Sequence, residues 1–114
     1  MVYQRDIVEV ILAEGLGNHP AIVISNHLVM EMEYACICVM MTSKDKNDEF
    51  SFKITDDMLI KPMGTTHCEA RCQLINYVPI NSIIRNRHNN QIKLAPFKKL
   101  LKKINSTTFS TEEL

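Results

Sequence analysis

A mostly β fold closed by one C-terminal helix is what this sequence predicts, and three observations carry the prediction. Short runs of β-branched and other apolar residues recur along the first 84 positions, separated by turn residues. Two stretches, 49–54 and 69–75, alternate apolar and polar side chains with the period of a strand. After Pro96 the period changes: Phe97, Leu100, Leu101 and Ile104 recur at helical spacing, with Lys98, Lys99, Lys102 and Lys103 between them.

In order, Asp6 to Leu12 reads as a strand rich in Val and Ile. Glu14-Gly15-Leu16-Gly17-Asn18 breaks it. Pro20 has no N–H for a ladder and suits the entry to the next strand, Ala21 to Ser25, which Asn26 and His27 leave. Tyr34 to Met41 is continuously apolar, as a strand buried on both faces would be. Thr42 to Asp48 is a charged loop. In 49–54, Phe50, Phe52 and Ile54 share a face, opposite Ser51 and Lys53. Thr55-Asp56-Asp57 suits a turn or a helix cap before Met58-Leu59-Ile60, and Pro62 and Gly64 break the chain again.

In 69–75, Ala70, Cys72 and Leu74 face one way and Glu69, Arg71 and Gln73 the other; Pro79 closes the strand. Ile83-Ile84 reads as the start of a short helical turn, and 85–91 as a polar loop. Pro96 fits the first turn of the terminal helix. Five or six strands and this helix suggest a small, strongly bent β-barrel with helical additions. The expected domain is 1–104, with 105–114 a polar, frayed tail.

The chain has 114 residues, enough for one domain with a thin core. At 46% hydrophobic and 23% charged it is ordinary globular material, which excludes disorder throughout. Formal net charge is zero, so any nucleic-acid binding has to come from a local patch. No run approaches the roughly 20 apolar residues of a membrane helix. The polar start, Met1 to Asp6, does not fit a signal peptide, so the expected compartment is the cytoplasm, with Cys36, Cys38, Cys68 and Cys72 as reduced thiols.

Asp6-Ile7-Val8, His19-Pro20-Ala21-Ile22-Val23-Ile24-Ser25-Asn26, Met41-Thr42-Ser43-Lys44, Leu59-Ile60-Lys61-Pro62 and Ala70-Arg71-Cys72-Gln73 together resemble the PemK/MazF family of toxin endoribonucleases. Asp6-Ile7-Val8 is similar to their opening strand, and His19-Pro20-Ala21-Ile22-Val23-Ile24-Ser25-Asn26 to their second, usually Arg-Pro, β-branched residues and Ser-Asn. Met41-Thr42-Ser43-Lys44 resembles the Thr-Ser end of their third strand. Leu59-Ile60-Lys61-Pro62 and Ala70-Arg71-Cys72-Gln73 resemble later parts of the pattern. The match spans residues 5–104. It implies an SH3-like barrel with a C-terminal helix, a homodimer with its RNA groove at or beside the subunit interface, cleavage of single-stranded RNA without metal or cofactor, and an antitoxin that blocks the groove.

Metal-free cleavage by the ribose 2′-hydroxyl needs a base, an acid and a donor set for the charge on phosphorus. The resemblance assigns catalytic positions to His19, Thr42 and Arg71, and RNA contacts to Ser43, Lys44 and Gln73. His19 replaces the family's Arg: it can exchange a proton near neutral pH but cannot fork onto a phosphate. Gln73 stands where some members carry an acid, and an amide cannot serve as the base. The loop between the first two strands is shorter than in many members. Each residue also has a plain reading: His19 as an exposed loop residue, Thr42 bonding its own loop, Arg71 as a solvated surface charge, and the lysine pairs as the wet side of an amphipathic helix. Arg85, Arg87 and His88 are further candidates for a basic patch. A zinc site from His67, Cys68, Cys72, Cys36 and Cys38 has the wrong spacing for a knuckle, and buried thiols explain it more simply. The competing function is a catalytically inactive member of the same fold that binds protein or RNA.

Overall fold

A computed structural model describes residues 2–12, 17–64, 69–84 and 89–113. Among the described residues seven strands and two α-helices follow one another: β1 (Asp6–Ile11), β2 (Asn18–Val23), α1 (His27–Glu33), β3 (Ala35–Thr42), β4 (Ser51–Lys53), β5 (Glu69–Pro79), β6 (Ile83–Ile84), β7 (Asn90–Gln91) and α2 (Leu94–Thr107). The 3₁₀ turns Asp56–Met58 and Ile80–Ser82 lie between them.

All strands join one antiparallel sheet in the order β4-β5-β3-β2-β1-β6, with β7 also on β1. Mostly β with a C-terminal helix is therefore the architecture. The predicted barrel is not closed by a continuous ladder among the described residues, because β6 and β7 are two residues long and cannot carry one. A narrower tie does the joining: the segment after β4 meets the segment after β7 at an isolated Leu59–Ile92 bridge. Ile60 N donates to Gln91 O at 2.9 Å and Lys93 N to Met58 O at 2.7 Å beside it.

Alternation along the central strands supplies two hydrophobic clusters, one per face of the sheet. Val8, Val10, Ala21, Val23, Cys36, Cys38 and Met40 point one way, under Val2, Met30 of α1, Ile80 and Ile83. Ile7, Ile22, Val39, Met41, Ala70 and Cys72 point the other way and take Phe97, Leu100 and Ile104 of α2. This is why 35–41 reads as apolar without a break: both faces of β3 are covered. Phe50, Phe52 and Ile54 join the α2 side as their spacing predicts, although only three residues there form strand.

Helix α1 was not expected from the sequence. Of its seven residues only Met30 is buried, so it leaves no apolar stripe to find. Its local signal is Asn26, whose side chain accepts from Leu28 N at 3.0 Å and caps the first turn. Tyr34 ends it in the left-handed region, φ 55°, donating its N–H to Met30 O, where glycine is the usual choice.

Three further expectations are corrected. Ile83-Ile84 forms strand β6 against Glu9 and Val10, because the helical turn is completed just before it, at Ile80–Ser82. Leu74 is 45% exposed, so the alternation of β5 loses its buried face there. Leu74 falls within the register shift between Val39 and Met41, where β5 carries more residues than β3 and residues 71–74 have no β3 partner. Helix α2 continues to Thr107, past the expected boundary at 104, and Thr108 Oγ1 anchors its end on Cys72 O at 2.7 Å. Pro20 sits third in β2 opposite Glu9, and β3 begins to pair only at Ala21, so the missing N–H costs no ladder bond to β3.

Candidate active site

The β2–β3 ladder ends at the pair Ala21–Met40. Two residues beyond that pair, at the same end of the sheet, stand His19 on β2 and Thr42 on β3. His19 lies opposite Val10 of β1 and is exposed. Thr42 lies opposite Glu69 of β5, and its Oγ1 accepts from Lys44 N at 3.1 Å. That bond leaves its O–H available to donate. Ser43 and Lys44 follow it on the surface.

Next along the same end of the sheet comes a charged cluster. Glu69 is 0% exposed; its Oε1 accepts from Lys46 N, and its Oε2 lies 3.6 Å from Arg71 Nη1 with no hydrogen-bond donor among the described residues. The Arg71 side chain is 8% exposed. Its guanidinium forks onto Asp48, Nη1 to Oδ1 at 2.9 Å and Nη2 to Oδ2 at 2.8 Å, while Nη1 also donates to Ser51 Oγ at 3.0 Å. The side of β5 that the sequence shows as polar is thus not solvated. The 43–50 connection folds over it, which replaces the reading of Arg71 as a surface charge. Gln73, two residues on, is half-buried, and its Oε1 is also buried without a donor among the described residues.

Arg71 holds the Asp48 carboxyl well below the ordinary carboxylate range, helped by the Phe50 amide and the Ser51 hydroxyl. Asp48 in return raises Arg71. The folded-state affinity of Asp48 for a proton is lowered, so its contribution to stability is complete above the unfolded carboxylate pKa of about 4 and is lost as pH falls below it. Asp48→Asn should therefore lower Tm by a constant amount above about pH 5, and the gap to wild type should shrink on further acidification. A gap independent of pH down to the acid limit of folding would contradict the assignment.

The cysteines do not form this site. Cys36 and Cys38 are buried side by side, Sγ to Sγ 3.6 Å, where their mutual hydrogen bond and burial push the Cys38 thiol up. Burial likewise raises Cys72 on the opposite face of the sheet. No group of three His, Cys, Asp or Glu side chains that could hold a metal occurs among the described residues, and His67 and Cys68 of the zinc reading lie outside them. Arg85, Arg87 and His88 also lie outside them. Lys98, Lys99 and Lys102 are the exposed side of α2, and Lys103 bonds the Ser51 carbonyl. No described helix is long and apolar enough to cross a membrane.

Sequence reasoning named His19, Thr42 and Arg71 as candidates, but not Asp48, Ser51 or Glu69, which the structure sets around Arg71. The pair Glu69 and Arg71 carried a usable signal, since residues two apart on a strand share a face. Asp48 is 23 positions from Arg71 and carried none.

The sequence profile of a family described as PemK-like, MazF-like toxins of type II toxin-antitoxin systems matches residues 3–107. No curated protein matches the chain in sequence. Among solved structures, a mycobacterial endoribonuclease in complex with its cognate antitoxin superposes with a TM-score of 0.72 at 10% identity, covering 93% of each chain. MazF from Deinococcus radiodurans gives 0.70 at 13% identity over 92% of this chain and 94% of that one. A MazE–MazF structure from the same organism gives 0.69 at 14% identity, with the same coverages. At such identities the superpositions speak for the fold.

Proposed function

The chain belongs to the PemK-like, MazF-like toxins of type II toxin-antitoxin systems, and on that premise we propose that it is an endoribonuclease that cleaves single-stranded RNA in the cytoplasm and is neutralised by an antitoxin. The observation that carries the reading is the placement of His19 and Thr42 on neighbouring strands at the open end of the sheet, just past the last β2–β3 pair.

The reaction proceeds by attack of the ribose 2′-hydroxyl on the adjacent phosphate, and needs no metal. His19, exposed at the end of the sheet, exchanges the proton. The Thr42 hydroxyl donates to a phosphate oxygen, and the Lys44 ammonium and Ser43 line the approach of the strand. Arg71 supplies charge stabilisation when a phosphate reaches it, and Gln73 contributes an amide to RNA beside it. The working form is a homodimer; the exposed Tyr3, Leu28, Met32 and Tyr34 around α1 offer apolar surface for a partner.

A second reading, a binding module without catalysis, draws on one observation: Arg71 already gives three hydrogen bonds to Asp48 and Ser51. One experiment separates the two. Purified, antitoxin-free protein is incubated with a long unstructured RNA in EDTA, with His19→Ala alongside. Cleavage by wild type and a loss of at least about a hundredfold in the variant, the usual size of a general acid–base contribution, is the expected result. Equal cutting by both would remove His19 from the mechanism, and no cutting by folded wild type would favour the binding module.

A further inference from the structure

We propose that Asp48 occupies, on the Arg71 guanidinium, the place of an RNA phosphate, so that the 43–50 loop is a latch which the RNA must displace before Arg71 can act. The inference rests on the ribonuclease reading above.

Three features of the cluster lead to it. The contact is a two-bond fork, Nη1 to Oδ1 and Nη2 to Oδ2, and this is the geometry in which a guanidinium also takes a phosphate. The two partners differ in access: the Arg71 side chain is 8% exposed and that of Asp48 45%, so Asp48 covers Arg71 from the solvent side. The cover is continuous with the proposed RNA contacts, since the loop leaves β3 at Thr42 and passes through Ser43 and Lys44 before reaching Asp48. A strand of RNA lying on those residues arrives at the latch.

The exchange is chemically balanced. One anion replaces another on the same cation, so no uncompensated charge appears. Glu69, with Oε2 3.6 Å from Nη1, keeps Arg71 paired while Asp48 departs. Other ties hold the loop's end: Asp48 N donates to Ser51 Oγ at 3.0 Å, Ser51 N to Asp48 O at 3.1 Å and Cys72 N to Phe50 O at 3.0 Å. Lys46 N bonds Glu69 Oε1, and Lys53 pairs with Asp45 at 2.7 Å with both side chains 53% exposed, which makes that pair weak. Asp48 itself organises the outer turn, accepting from Phe50 N at 3.0 Å. Displacing it frees that amide.

The test uses the full chain and a fully 2′-O-methylated RNA oligonucleotide, which binds without being cut. Asp48→Asn removes one negative charge from the loop, so Glu49→Gln, which removes a charge two atoms of chain away from the latch but touches neither Arg71 nor Glu69, is the control. Asp48→Asn should bind the oligonucleotide about tenfold more tightly than Glu49→Gln, and Asp48→Asn with Arg71→Lys should lose that gain, because an ammonium cannot fork. In the wild type, bound oligonucleotide should speed hydrogen exchange at the Lys46 and Phe50 amides, a reading that does not depend on any variant folding. Equal affinities for Asp48→Asn and Glu49→Gln, or slower exchange at both amides, would overturn the latch and leave Asp48 as a fixed staple. Absence of RNA binding by the wild type and every variant would overturn the ribonuclease reading and the latch together.

Discussion

Arg71→Ala should lower stability by about 3–5 kcal/mol, the cost of removing one partner from a buried ion pair. The reason is Glu69. Its side chain is 0% exposed, its Oε2 has no hydrogen-bond donor among the described residues, and the Arg71 guanidinium is the charge that faces it. Alanine leaves that carboxylate buried, and leaves Asp48 without its fork. Asp48 loses the partner that holds its carboxyl low, so this share of the loss should ease as pH is lowered, in the same direction as the Asp48→Asn behaviour. Chemical denaturation of Arg71→Ala, Glu69→Gln and the double variant measures this. The double variant should be more stable than the sum of the two losses predicts, by about 1–3 kcal/mol of coupling. Additive losses would mean that Glu69 and Arg71 do not sense each other.

Leu100→Ala should cost about 3 kcal/mol and lower Tm by roughly 10–15 °C. Leu100 is fully buried at the middle of α2, in the cluster that holds Ile7, Ile22, Val39 and Met41 of the sheet against Phe97 and Ile104. α2 contributes only three buried residues, so truncating one removes a large share of what attaches it. Leu94→Ala, at an exposed position on the same helix, should change stability by less than about 0.5 kcal/mol. Comparable losses at 94 and 100 would argue that α2 is held in another way.

The two stability effects bear on function differently. Neither His19 nor Thr42 belongs to the cluster around α2, so a Leu100 variant should lose folded protein while the remainder cuts normally. Arg71 lies in both the fold and the proposed chemistry, and an activity lost on its truncation does not by itself show contact with RNA. Arg71→Lys, which keeps the charge for Glu69 while removing the fork, separates the two roles.

How far the residues could be read in advance depends on the range of the interaction involved. The strands from Asp6 to Met41, the α2 stripe and the shared face of Phe50, Phe52 and Ile54 were legible, because period-2 and period-3.6 burial is written into neighbouring positions. Helix α1 escaped, since a seven-residue helix that buries Met30 alone has no periodicity to show. The position of His19 and Thr42 came from resemblance, and only the β2–β3 pairing sets them at one end of the sheet. The character of β1, β2 and β3 and the stripe of α2 were determined by the sequence. The covering of Arg71 was decided by tertiary structure alone. A charge on a strand's polar side is solvated or buried according to what folds over it, and here that is a loop whose Asp48 meets Arg71, 23 positions away in the chain. No local pattern encodes such a contact, because its energy exists only once β3, β4 and β5 have brought the two side chains together.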